Sequence, residues 1–217
     1  MKVLLIRIEV WGPNACFTRP EFKTERVSYD IMTPSAARGI IEAVYWHPGL
    51  KYHIDKIYLL NPVQFANIRR NEINSVVSAS TALSSLKTGK PLASYAGENR
   101  LQRASMILKD VHYIIEEHIE MTEKAAPSDN LRKFEEILQR RLKRGQCYSQ
   151  PYFGCREFAA HFSPWEEESV PALPLTQDFG FMLYDMDFSN PENIKPQFFR
   201  AKMVDGVLDV SNCEVLT

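Results

Sequence analysis

The chain has 217 residues, 26 Lys and Arg against 27 Asp and Glu, and a net charge of −1. That length supports one or two domains with a sizeable core, and the ordinary composition argues against a disordered or disulfide-stapled protein. No segment nears the roughly 18 apolar residues of a membrane span, and Arg7 and Glu9 cut short the signal-like start, so a cytoplasmic protein with no membrane partner is expected.

In chain order, a strand is expected over about Val3–Trp11, with Leu4, Ile6, Ile8 and Val10 on one face and Arg7, Glu9 and Trp11 on the other. A polar loop carrying Arg19, Lys23 and Arg26 follows. Thr33 and Pro34 then open a helix whose apolar stripe is Ala37, Ile40, Ile41 and Val44, with Arg38, Glu42 and Tyr45 along one flank and Pro48-Gly49 as the stop. A strand over about Tyr52–Val63 leads into the Ser-, Ala- and Asn-rich residues 66–104, read as a projecting hairpin or mobile loop with Arg69 and Arg70 at its root. A long strand over about Met106–Met121 alternates Val111, Tyr113, Ile115 and Ile119 with His112, Glu116, His118 and Glu120. A helix over about Asn130–Arg144 and a strand near Arg156–Phe162 follow. Two more strands are expected at about Phe179–Phe188 and Gln197–Val210, the latter turning at Asp205-Gly206. The predicted class is α+β: a ferredoxin-like (RRM-like) domain over 1–164 with a hairpin insertion at 66–104, then a small antiparallel subdomain over 165–217.

Charge is unevenly spread. Residues 1–164 carry +6 and residues 165–217 carry −7, so the body suits a polyanion. The sharpest signal is 131–158, LRKFEEILQRRLKRGQCYSQPYFGCREF. Leu131, Phe134, Ile137, Leu138 and Leu142 form its buried helical face. Six Lys or Arg stand against two Glu in 131–144, and Tyr148, Tyr152 and Phe153 follow directly. Cations for phosphates beside aromatics for bases are what an RNA surface needs.

The remaining candidates are weaker. Cys16, Cys147, Cys155 and Cys213 form no CxxC pair, so reduced thiols are expected, with no metal and no cofactor. His47 follows a helix end, where the dipole favours its charged form. Asp185 and Asp187 read as an acidic solvent face.

CFTRPEFKTERVSYDIMTPSAARGI, then IRRNE, then RRLKRGQCYSQPYFGCREF, together resemble the Dvulg-subtype Cas-five proteins of type I-C CRISPR systems, in order over about residues 1–165. The resemblance implies a metal-independent endoribonuclease that cuts precursor CRISPR RNA in each repeat at the hairpin base. It implies that the protein stays on the 5′ handle beside the backbone and large subunits of the interference complex. It places Tyr45 and Lys133 in the reaction, but the family's catalytic His position holds Phe134. His47 and His118 are the candidate substitutes. As a base Tyr45 needs a nearby cation, from Arg38 or Lys133, to lower its pKa. Arg19, Lys23, Arg26, Arg38, Arg69, Arg70, Arg140, Arg141, Lys143, Arg144, Tyr148, Tyr152 and Arg156 are the expected RNA contacts. Two alternatives stay open: a non-catalytic subunit that only holds the 5′ handle, and contact with duplex DNA, since a basic surface does not by itself distinguish backbones.

Overall fold

The computed structural model describes residues 5–22, 25–73, 76–93, 95, 97 and 99–217. The elements in order are β1 (Ile6–Ala15), β2 (Arg26–Val27), α1 (Pro34–Val44), β3 (Leu50–Leu59), β4 (Phe65–Ile73) and α2 (Ala79–Thr88). They continue with β5 (Arg100–Met121), α3 (Leu131–Arg144), β6 (His161–Pro164), β7 (Gln177–Asp187), β8 (Lys195–Val204) and β9 (Val207–Asp209). One sheet runs β6-β1-β5-β3-β9-β8-β7 with antiparallel neighbours, while β4 pairs antiparallel and the short β2 parallel onto β5.

The period of two in β1 and β5 divides the sheet into two faces. Ile8 pairs with Ile115 and Val10 with Tyr113, and all four are buried with Ile40, Ile41, Val44, Phe134, Leu138 and Leu142 of α1 and α3. Residues between them point away from the helices. Arg7 stands opposite Glu116 there and bonds it at 2.7 Å, while Lys56 and Tyr58 close over the same carboxylate.

Both helices start where their caps predict. Thr33 accepts from the Ala36 N–H at 3.3 Å with Pro34 in the first turn, and Asn130 accepts from the Lys133 N–H at 2.9 Å. Gly145, at φ 61°, closes α3. The apolar stripe of α3 buries Phe134, Leu138 and Leu142, and Leu131 and Ile137 flank the core half-buried.

The described residues of 66–104 include the two strands of a hairpin arm. β4 pairs with the first half of β5 from Phe65↔Leu108 to Ile73↔Arg100. The arm also carries α2, capped by Ser78 and Gly89, which its low hydrophobicity hid; no residue of α2 is buried. β5 is thus longer than expected, and it changes course at Asp110, whose φ is 50°. The strand expected over Tyr52–Val63 starts earlier and stops at Leu59.

The strand expected at Arg156–Phe162 is displaced to His161–Pro164, because residues before it fold into a tight loop on β1. The Cys16 N–H donates to the Phe153 carbonyl at 3.0 Å. Gly154 has φ 76°, and a Cβ there would sit 2.0 Å from the Cys16 carbonyl oxygen. Phe153 itself is core, and Cys16 and Cys155 are buried free thiols beside it.

The C-terminal strands meet the rest through β9, which pairs with β3. Asp205-Gly206 makes the expected turn between β8 and β9. Asp185 is not a free acidic surface group. Both its oxygens lie 2.8 Å from the Arg38 guanidinium, which also reaches Glu42 at 2.8 Å. No helix of the described residues is long and apolar enough to cross a membrane.

Candidate active site

The C-terminal end of α1 and the first half of α3 meet over one buried ring, Phe134. The Tyr45 ring lies 6.3 Å from it and the His47 ring 5.0 Å, centroid to centroid. Tyr45 caps α1, donating its N–H to Ile41 at 3.0 Å, and its own carbonyl accepts the Tyr52 hydroxyl at 2.8 Å. Arg141, two turns along α3 from Phe134, reaches back across it. Its guanidinium donates to the Val44 carbonyl at 2.7 Å, with its carbon 5.0 Å from the Tyr45 ring centroid.

Burial outweighs charge at Tyr45. Its phenol is pushed above the usual value by burial first, while Arg141 and then Lys133 pull it down and Asp129 adds to the rise. The cations that face Tyr45 are therefore Arg141 and Lys133. Arg38, engaged by Asp185 and Glu42, is not among them.

His47 is oriented by its own turn. Nδ1 accepts the Gly49 N–H at 3.0 Å, which leaves Nε2 to carry the proton of the neutral ring. Lys133 is held by Asp129, one helical turn earlier, at 2.9 Å. The Lys133 hydrogen bond, then the Ala126 N–H, keeps the Asp129 carboxyl below its usual range. That spacing of four was readable in the sequence as an ion pair, but Asp129 was not singled out.

His118 does not join this group. It alternates with Ile119 onto the opposite sheet face, where Nδ1 meets Asp55 at 2.8 Å and its ring stacks on His53 at 4.9 Å.

The expected RNA contacts separate into free and engaged cations. Arg140 and Arg144 are exposed on α3 and make no ion pair among the described residues; Lys143 is exposed but meets Glu166 at 2.7 Å. Tyr148 is 85% exposed, and its N–H and that of Ser149 bond the Ala43 carbonyl, which moors the aromatic loop beside Tyr45. Tyr152 is 38% exposed, and Arg69 and Arg156 are exposed without ion pairs among the described residues. Arg26 and Arg70 both face Glu72 and Glu157, and Arg26 also approaches the Cys155 sulfur at 3.2 Å. Arg19 is bound to Asp30 at 2.8 Å over the Tyr29 ring. Lys23 lies outside the described residues. Glu72 and Glu157 neutralise this root of the arm; Glu72, two residues from Arg70, was readable in the sequence as its ion-pair partner, whereas Glu157 gave no signal because it comes from a segment far away in the chain.

The family model for Cas5d, a CRISPR-associated protein (Cas_Cas5), matches residues 5–211. The chain belongs to the Cas5d family. Two curated Cas5d relatives carry the name CRISPR pre-crRNA endoribonuclease. The protein of Mannheimia succiniciproducens is 46% identical over 215 residues, 94% of each chain. That of Thermus thermophilus is 39% identical over 222 residues, 94% of this chain and 90% of the relative. A crystal structure of a CRISPR-associated protein matches with a TM-score of 0.70 at 22% identity, over 99% of this chain and 97% of the other. A chain of a CRISPR RNA-guided surveillance complex matches at 0.53 and 12% identity, over 96% and 92%. Both structures share the fold of this Cas5d chain.

Proposed function

We propose that this protein cleaves precursor CRISPR RNA within the repeat, near the hairpin base, without a metal ion, and then remains on the 5′ handle in the cytoplasm as a subunit of the type I-C interference complex. The Cas5d relatives named as pre-crRNA endoribonucleases support the substrate, and the likeness to a chain of an RNA-guided surveillance complex fits the second role. The sheet order β6-β1-β5-β3, with α1 and α3 as crossovers on one face, supports reading this part as ferredoxin-like. One observation carries the chemistry: Tyr45, His47, Lys133 and Arg141 gather round Phe134, beside the free cations of α3.

The step is attack of a 2′-oxygen on the adjacent phosphorus. The 2′-hydroxyl gives its proton to water, the new oxygen–phosphorus bond forms, and the bond to the 5′-oxygen breaks, leaving a 2′,3′-cyclic phosphate and a 5′-hydroxyl. A phenol held above its usual pKa is a proton donor at neutral pH rather than a base, so Tyr45 protonates the leaving 5′-oxygen. Arg141 and Lys133 then face the phenolate and the phosphorane together. His47 donates a hydrogen bond from Nε2 to a phosphoryl oxygen, which replaces part of what an imidazole at position 134 would supply.

Cleavage of the cognate repeat RNA in EDTA tests this. Tyr45→Phe and Lys133→Ala are expected to slow cutting about 100-fold or more while a native gel shows RNA still bound. The wild-type rate is expected to climb with pH from 6 to 8.5 with no fall near the histidine range. Wild-type rates in both variants would remove these assignments. The competing reading of a pure binding subunit draws on the same resemblance, which implies an imidazole where this chain has Phe134, a ring only 1% exposed. Shifted but uncut RNA from the wild type would decide for it.

A further inference from the structure

We infer that the sheet face turned away from the helices carries a second RNA contact, a platform of Trp11, His112 and His161 on which an unpaired nucleobase stacks. This rests on the RNA-binding reading above, but uses the face opposite Tyr45. Strand register sets the three rings in one row: Trp11 pairs with His112 of β5 on one side and with His161 of β6 on the other. Trp11 and His161 lie near parallel, 5.7 Å apart at 24°, and His112 meets Trp11 edge-on at 6.2 Å. Glu9 fixes the row, one oxygen on His112 Nε2 at 2.8 Å and the other accepting the Ser163 hydroxyl at 2.9 Å. Trp11 remains 37% exposed and His161 is exposed, so no described element covers the rings.

The surroundings select a base over other occupants. A cleft of about 500 Å³ opens beside the row, lined by Pro13, Asn61, Asp110 and Val111 as well as the rings. Its size is that of small-ligand sites. Its lining mixes apolar surface with the polar side chains of Asn61 and Asp110, which suits a heterocycle with a stacking face and a hydrogen-bonding edge. Asp110 holds its left-handed backbone there, with its carbonyl taken by the Asn61 amide at 2.8 Å; such strain collects where a ligand is met. The carboxylates of Glu9 and Asp110 are poor neighbours for phosphate, so the contact is made through the base. β6, which presents His161, begins just after the loop bearing Tyr148 and Tyr152, so one segment links the two contacts.

The test measures binding of fluorescent cognate repeat RNA to full-length wild type, Trp11→Ala, Trp11→Phe and His161→Ala across a salt series. Loss of one stacked base predicts an affinity drop on the order of tenfold for Trp11→Ala and most of the affinity kept in Trp11→Phe. The slope of log affinity on log salt should not change, because no phosphate contact is lost. Should Trp11→Ala lower the melting temperature, His161→Ala, also at an exposed position, decides by the same readout, with a several-fold drop expected. Wild-type affinity in the alanine variants overturns the platform alone. Failure of the wild type to bind RNA overturns both readings.

Discussion

At Tyr45 two cations and burial act on one hydroxyl, and burial wins, so the phenol lies above its usual pKa. The Phe134 ring lies beside both Tyr45 and His47. At Glu117, a carboxyl, burial acts with no cation to oppose it. Glu117 pairs with Ile6 on the helix-covered face, and neither of its oxygens has a hydrogen-bond partner among the described residues. Burial first, then Asp55 and Glu135, raises its pKa well above 4.5. The folded state therefore keeps the proton longer than the unfolded chain does. Its contribution to stability is fully present below the ordinary carboxylate range and is lost as pH rises through the folded value. Glu117→Met should remove that loss, leaving the variant about 1–3 kcal/mol more stable than wild type at pH 8 with a smaller difference at pH 5. Urea unfolding at the two pH values measures it. The strand's alternation already set Glu117 among apolar positions, between Ile115 and Ile119, but not that it would lack a partner.

Helix α3 and the loop after it act as one element, joined by Gly145 and fastened to α1 by Tyr148 and Ser149. Its boundaries, caps and buried stripe were readable because each depends on residues within a few positions. So was its basic edge, but only the structure separates Arg140 and Arg144, which face solvent, from Arg141, which is drawn back over Tyr45. The triple variant Arg140→Ala, Lys143→Ala, Arg144→Ala should weaken RNA binding and lower the salt slope by about 2, since each phosphate contact to a single strand contributes roughly 0.7. Lys143 will give less than a full share because Glu166 already engages it. An unchanged slope in a salt titration would show that the RNA passes elsewhere. The helix α2 was missed for the opposite reason: none of its residues is buried, so no apolar stripe announced it.

Across the whole molecule, the acidic C-terminal part is knitted to the basic body. β9 extends the sheet from β3, Arg38 of α1 clasps Asp185 of β7, and Arg7 of β1 reaches the Glu168 carbonyl at 2.7 Å. Arg38 was expected on RNA; its site is a joint between α1 and β7. Asp185→Asn should cost about 1–2 kcal/mol in denaturant unfolding, a modest figure because both side chains are partly exposed and screened. Asp187→Asn, whose amide oxygen still accepts the nearby Ser189 N–H, should leave stability unchanged. Equal effects from the two would mean that the clasp carries no load.

The amino-acid order by itself determined the two capped helices, the alternating strands, the Asp205-Gly206 turn and the family, because each is written in neighbouring residues. The tertiary structure decided which cations remain free for phosphate, which histidine stands beside Phe134, and in which direction Tyr45 titrates. Those outcomes hang on pairs such as Tyr45 with Arg141 or Arg38 with Asp185, about a hundred residues or more apart in the chain. Only folding brings such pairs within reach, and electrostatic and packing energies depend on that separation in space, not on distance along the sequence.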